Sequence, residues 1–268
     1  MCLILFAYET HPDYRLVLLA NRDEFYARPT APADFWPEVP ALLAGRDLEA
    51  GGTWMGINHN GRLAAVTNYR DPGETGNGPS RGRLTRDFLS AAAMPQAFLA
   101  GLDPPAETYR GFNLLLGDGG NLFYTSNRDQ GGLRSLSAGI YGLSNHLLDT
   151  PWPKVERGKA ALSEALNRQP TPDENELLAI LSDRTVAADD QLPDTGVGLA
   201  WERVLAPAYI VSPNYGTRSS SLLLIDECGH VMFVERTFAD QGRFVGERRF
   251  AFEAPAWARP SCVGASAL

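Results

Sequence analysis

A chain of 268 residues with 44% hydrophobic content is long enough to bury a substantial core. Its formal net charge of −8 and pI near 5.1 argue against nucleic-acid binding, which depends on clustered cations. No stretch approaches the roughly 18 to 20 apolar residues needed to span a bilayer, and the N-terminus lacks the basic region and cleavage site of a signal peptide. No membrane span and a cytoplasmic location are therefore expected.

The chain opens on Cys2-Leu3-Ile4-Leu5-Phe6-Ala7-Tyr8, a thiol running directly into an apolar strand. With Met1 removed, Cys2 carries both a nucleophile and a free α-amine. An amine that titrates at about 7.7 to 8.0 can take the thiol proton without a histidine. A second apolar run, residues 16–20, ends in Asn21-Arg22-Asp23-Glu24, and the turn-rich Thr10-His11-Pro12-Asp13 between the runs predicts a hairpin of buried strands. Antiparallel pairing about that turn makes facing positions sum to about 24, which places Cys2 beside residues 21–23. There Arg22 favours thiolate and Asp23 orients the amine.

Residues 28–32 break regular structure and begin a loop through Phe35, Trp36 and Pro37. Residues 51–58 and 61–68 flank Asn60-Gly61, the strongest hairpin signal in the chain, and the second strand ends in Asn68-Tyr69-Arg70-Asp71-Pro72. The Gly-rich residues 73–82 read as a flexible connection. Their Gly78-Pro79-Ser80-Arg81-Gly82 spells Gly-x-Ser-x-Gly but has no apolar strand before it to form a nucleophile elbow. Residues 84–102 are predicted helical, divided at Pro95. Strands follow at 112–116, 121–125 and 139–143, the last delivering Ser144-Asn145-His146. Helices are expected over 152–166 and 173–181, a loop over 187–198, strands at 208–211, 219–225 and 230–234, and an irregular tail from 254. Strands, then helices, then strands indicate an α+β class with mainly antiparallel sheets, and no linker divides the chain, so one domain over 1–268 is expected.

Three widely spaced cysteines, Cys2, Cys228 and Cys262, describe neither a disulfide framework nor a zinc site, and imply free thiols in a reducing compartment. Beside Arg22, Cys2 is expected to alkylate faster than Cys228, which has acidic neighbours, and faster than Cys262, which lies in the tail. Almost all cations are arginine. Lysine appears only at Lys154 and Lys159, which reflects genome composition more readily than function.

Polar groups recur at strand ends: Arg22 and Asp23, Asn68, Asn145, and Arg218 within Tyr215-Gly216-Thr217-Arg218-Ser219-Ser220. Asn side chains donate without titrating, which suits a developing oxyanion. Arg218 is available to hold a substrate carboxylate or to raise the thiolate population. A Cys-His arrangement through His146 ranks below the α-amine, because a single histidine after a strand is more often structural.

These residues, together with Gly51-Gly52-Thr53-Trp54-Met55-Gly56, Thr67-Asn68-Tyr69-Arg70, Leu143-Ser144-Asn145-His146 and Leu192-Pro193-Asp194-Thr195-Gly196, resemble the NRDE family, also called the transport and Golgi organisation protein 2 family, from position 2 to about 234. The resemblance implies a four-layer αββα fold similar to that of the N-terminal nucleophile hydrolases. Comparison with the choloylglycine hydrolases of that superfamily implies Cys2 as nucleophile, Arg22 and Asp23 beside it, Asn68 and Asn145 at the oxyanion, and Arg218 as the late arginine. In those enzymes the Arg and Asp are separated by two residues. Here they are adjacent, so either Asp23 or Glu24 fills the acidic role. The function implied is an amidohydrolase without cofactor, cleaving a non-peptide C-N bond of a small molecule. The alternative is a carrier of haem or an acyl-CoA-like lipid on the same fold, for which His59, His146 and Cys2 are the available axial ligands.

Overall fold

The computed structural model describes residues 2–74, 78–168 and 171–263. Strands β1 (Cys2–Tyr8) and β2 (Tyr14–Phe25) pair antiparallel in the expected register, with Cys2 opposite Arg22 and Leu3 opposite Asn21. Alternate residues of this hairpin enter different cores. Ile4, Phe6, Leu18 and Ala20 pack with Met55, Ile57, Leu63 and Leu115, whereas Leu3, Leu5, Val17 and Leu19 pack with Val155, Leu162 and Leu177. Side chains alternate across a strand, so a strand buried on both faces is apolar at nearly every position. That double burial is the cause of the continuous apolar runs.

The next strands build one complete sheet in chain order: β3 (Thr30–Trp36), β4 (Val39–Asp47), β5 (Met55–Asn58), β6 (Leu63–Asn68), β7 (Phe112–Asp118), β8 (Asn121–Ser126) and β9 (Arg134–Ser135). Helices α1 (Gly82–Ser90) and α2 (Pro95–Ala100) interrupt it. Leu84, Phe88 and Leu89 of α1 cover its outer face over Leu42, Ala64, Val66 and Leu114. β10 (Gly139–Leu143) then joins β1, and α3 (Pro153–Arg168) and α4 (Glu174–Ile180) cover the other sheet. α4 starts on Asp173, whose side chain accepts from the Glu176 amide as an N-cap. After α5 (Leu199–Leu205), β11 (Tyr215–Asp226), β12 (His230–Phe238) and β13 (Phe244–Glu253) complete the order β10-β1-β2-β11-β12-β13, and α6 (Pro260–Val263) ends the described chain. Two antiparallel sheets therefore face one another across a shared core, with helices outside each.

Several elements depart from the sequence reading. β3 and β4 occupy the expected loop. β3 is a sheet edge with an irregular register between Ala31 and Asp34 that takes in Pro32, and an edge strand tolerates a proline that an interior strand would not. β13 is also an edge, largely exposed and charged through Glu247, Arg248 and Arg249, which hides the alternation. Residues 208–211 form no strand beyond a single bridge of Val211 to Gly216, while α5 forms where no element was expected.

Residues 255–263 pack against the rest of the chain, and they overturn the reading of three free thiols. Trp257 is fully buried and donates through Nε1 to the Gly61 carbonyl (2.6 Å), and Cys262 is disulfide-bonded to Cys228. The β12–β13 hairpin supplies the reason. It pairs His230 with Glu253, so the chain returns to the turn that carries Cys228, where the Ala254 amide donates to the Gly229 carbonyl (2.8 Å). A separation of 34 residues in sequence becomes adjacency through that fold-back. Cys2 is the free cysteine.

Candidate active site

The start of β1 and the ends of β2, β6 and β10 converge at one edge of the sandwich, beside a cavity of about 630 Å³. Cys2, Arg22, Asp23 and Asn68 border it together. Cys2 and Arg22 are directly paired across β1 and β2, so both side chains take the face turned to the second sheet, in line with Ile4 and Ala20. Asn21 and Asp23 consequently take the opposite face, toward the helices. Asn21 donates to the carbonyls of Leu181 and Ala208 (both 2.8 Å) and accepts from Ser220 Oγ (2.6 Å), which anchors the helix layer.

Arg22 is buried, with its guanidinium carbon 4.3 Å from the Trp54 ring centroid and its Nη2 3.9 Å from a Glu24 oxygen. Gly45 makes room for that ring, because a Cβ there would lie 2.3 Å from Trp54 Cη2. Asp23 is also buried. Its Oδ1 accepts from Thr217 Oγ1 (2.7 Å), and burial pushes its carboxyl above the usual range against the charges of Lys154 and Arg22.

The two asparagines have different places. Asn68 borders the cavity, and its side-chain amide has no hydrogen-bond partner among the described residues, so it is available as a donor. Asn145 is fully buried, and it donates through Nδ2 to the Asn68 carbonyl (2.9 Å) while its own carbonyl accepts from the Arg70 amide (2.7 Å). It braces the end of β6. Next to it, Ser144 Oγ donates to the Cys2 carbonyl (3.2 Å).

Arg218 is not among the residues bordering the cavity. It is the extra residue of a β-bulge, since Thr217 pairs with Asp23 and Ser219 with Arg22. A bulge re-aims its side chain. Here Arg218 Nη1 donates to the carbonyls of Phe25 (3.0 Å), Tyr26 (3.2 Å) and Arg28 (3.0 Å), pinning the turn between β2 and β3 rather than reaching toward Cys2. The proposed haem ligands are not brought together either. His59 lies in the β5–β6 turn, at the end of the sheet away from Asn68, stacked on Phe35 (4.9 Å). His146 has both ring nitrogens engaged, Nε2 with Tyr69 Oη and Nδ1 with Thr150 Oγ1 (both 2.8 Å).

Sequence reasoning passed over several groups behind the site. Lys154 is buried under Asp23's face of the sheet, donates to the Leu205 carbonyl (2.9 Å), and is pushed down to about 8 by burial. Its signal was its rarity in an arginine-rich chain. Arg70 pairs with Glu202 at 2.6 Å, both buried, and lies over the Trp152 ring. Glu202 also accepts from the Thr195 amide (2.9 Å) and Oγ1 (2.5 Å), which explains why a Pro-Asp-Thr-Gly loop belongs with this site.

The Cys2 thiol is pushed above its ordinary value, first by burial, with Asp23 and Glu24 adding to the rise and the N-terminal ammonium and then Arg22 opposing it. Burial therefore works against the thiolate that Arg22 favours, and a base beside the thiol offsets it. Its alkylation by iodoacetamide is expected to be slow at pH 7 and to keep rising past about pH 8.5, the ordinary thiol range. Arg22→Gln should move the rise to higher pH. Peptide mapping after timed labelling checks this, and a rate that levels off below pH 8 would contradict it.

Two antiparallel sheets packed face to face and enclosed by helices are the αββα fold of the N-terminal nucleophile hydrolases. A mutant conjugated bile acid hydrolase from Clostridium perfringens shares it, with a TM-score of 0.53 at 9% identity over 94% of this chain and 92% of that one. The chain belongs to the Transport and Golgi organisation 2 family, whose profile matches residues 1–240. It is 38% identical over 260 residues to the human Transport and Golgi organization protein 2 homolog, covering 90% of this chain and 94% of the human one. The Drosophila melanogaster Transport and Golgi organization protein 2 is 27% identical over 264 residues, covering 88% and 92%.

Proposed function

We propose that this protein is a cysteine amidohydrolase acting on a non-peptide C-N bond of a small molecule, working as a single domain in the cytoplasm. The observation that carries the reading is the placement of Cys2 at a cavity of about 630 Å³ with Arg22, Asp23 and the uncommitted amide of Asn68 around it. A cavity of that size suits a small-molecule substrate. Among the described residues no helix is long and apolar enough to cross a membrane.

In this reading Met1 is removed; that position lies outside the described residues. The freed α-amine of Cys2 takes the thiol proton, and the sulfur attacks the amide carbonyl carbon. Asn68 donates to the oxyanion as it forms. Arg22 holds the thiolate against the cost of burial, and Asp23, held by Thr217, orients the amine. The C-N bond breaks as the protonated α-amine returns its proton to the leaving nitrogen, and water then hydrolyses the thioester. Asn145 acts at one remove, by bracing the backbone of Asn68.

Turnover of an amide library by processed protein, measured as amine release, tests the reading. Cys2→Ala is expected to lose at least about 10³-fold in rate, as removal of a covalent nucleophile does. Equal product from Cys2→Ala, or an active protein that quantitatively keeps Met1 by intact mass, would overturn it. Stoichiometric ligand binding without product would favour the carrier.

A further inference from the structure

The cavity walls carry cations that their own acids do not use. Arg28 is engaged by Asp47 (2.9 Å) and Glu49 (3.1 Å), and Arg70 by Glu202. Glu74 is taken by Arg128 and by the Gly111 amide (2.9 Å). Of the remaining bordering acids, Asp23 accepts from Thr217, while Glu24, which also lies 3.9 Å from Arg22 Nη2, and Asp71 accept from the amides of Phe25 (2.9 Å) and Gly73 (3.0 Å). Two bordering arginines, Arg81 and Arg110, form no ion pair among the described residues. Arg81 makes one hydrogen bond, from Nη1 to the Gly111 carbonyl (3.2 Å).

These two arginines belong to segments in contact. Arg81 precedes α1 and Arg110 precedes β7, and a Cβ on Gly78 would come within 2.8 Å of the Thr108 carbonyl and 3.2 Å of the Arg110 amide nitrogen. Burial, and then repulsion from Arg110, bring Arg81 down to about 10 against the opposing charges of Cys2 and Glu24, which marks two like charges held close together. Beside Cys2, the buried Arg22 leaves Nη1 without a hydrogen-bond partner among the described residues. The nine-residue α1 also presents its N-terminus to the cavity through Arg81 and Gly82, with no side-chain cap. The dipole of a helix start favours an anion, while the amides of Arg83 and Leu84 are taken by the carbonyls of Ser80 and Arg81 (both 3.0 Å).

We infer that the cavity holds an oxyanion group of the ligand, a carboxylate or a phosphate, between Arg81 and Arg110, with Arg22 Nη1 as a further donor and the dipole of α1 behind them. Guanidinium forks match both groups bidentately. The inference deepens the amidohydrolase reading, on which the word substrate rests, by making the substrate an anionic amide. The anion site itself stands whether or not Cys2 cleaves anything.

Cys2 serves as the reporter in full-length protein at pH 8.5. Alkylation by iodoacetate, which carries a carboxylate, is compared with alkylation by neutral iodoacetamide at matched ionic strength, by intact mass. Both reagents use the same thiolate, so their rate ratio cancels any change in the thiol itself. The ratio is expected to exceed that of a small free thiol by about tenfold, the share of one charge-assisted hydrogen bond, and to fall to the free-thiol value in Arg81→Gln/Arg110→Gln. Arg81→Lys/Arg110→Lys should keep most of it. Arg110→Gln alone, at an exposed side chain, provides the variant that folds if the double one does not, and it should lower the ratio at least twofold. Saturable protection of Cys2 by inorganic phosphate but not acetate assigns the site to phosphate, the reverse assigns it to carboxylate, and protection by both supports the shared chemistry. A wild-type ratio equal to that of the free thiol, or one unmoved by Arg110→Gln and by the double variant, would overturn the inference. None of these readouts needs turnover, so failure to find an amide substrate leaves the result intact.

Discussion

Glu202→Ala is expected to lower the free energy of unfolding by about 3 to 5 kcal/mol, the cost of removing one partner from a buried ion pair. The side chains of Arg70 and Glu202 are 5% and 3% exposed and 2.6 Å apart, so water cannot replace the lost carboxylate. Burial already pulls the Arg70 guanidinium below its ordinary value, and Glu202 is the leading group that opposes this. The same substitution frees the Thr195 amide and hydroxyl, loosening the loop that carries the Pro-Asp-Thr-Gly motif. Urea denaturation measures the loss. The paired change Arg70→Met/Glu202→Leu should cost less than Glu202→Ala alone, because it removes both charges. A loss under about 1 kcal/mol for the single variant would show that the pair is not what holds this loop and Arg70 together.

Glu235→Gln is expected to stabilise the protein at pH 8 and to flatten its stability between pH 5 and 8. Glu235 lies on β12, 1% exposed, and accepts from the Ala33 amide of β3 (2.6 Å), so one carboxyl joins the two sheets across the sandwich. Burial raises it from 4.5 to about 7, against the Ala33 amide, the Arg22 guanidinium and the hydroxyls of Ser219 and Ser221. Between those two values the folded chain holds a proton that the unfolded chain has released. Stability from this group is therefore fully present below about pH 4.5 and is lost as pH rises through 7, by roughly 3 kcal/mol. Glutamine keeps an oxygen for the Ala33 amide and offers its NH₂ to the serines, with no charge to bury. Denaturation midpoints at pH 5 and pH 8 decide the matter. A variant that loses stability with pH as steeply as the parent would remove Glu235 as the cause.

Both predictions concern residues that the sequence did not single out, and the reason is the same for each. Glu202 and Glu235 acquire their character from burial and from partners 132 and 202 residues away, which no local pattern encodes. Arg218 illustrates the converse. Its position after a strand turn suggested a role beside Cys2, but the bulge between Thr217 and Ser219 turns it onto the carbonyls of residues 25–28.

What the sequence by itself determined was the local grammar of the site. The apolar runs around Thr10-His11-Pro12-Asp13 set the register that pairs Cys2 with Arg22, and Asn60-Gly61 set the hairpin that ends at Asn68, because turn residues and a period of two act over a few positions. The tertiary structure decided everything that depends on distant segments meeting. It made strands of the proline-bearing edge at 30–36 and the charged edge at 244–253, and it joined Cys228 to Cys262 by folding β13 back on β12. It also set burial against the thiolate that Arg22 favours at Cys2. The adjacent Arg22 is visible in the sequence, but the desolvation that opposes it arises only from the tertiary packing around the start of β1.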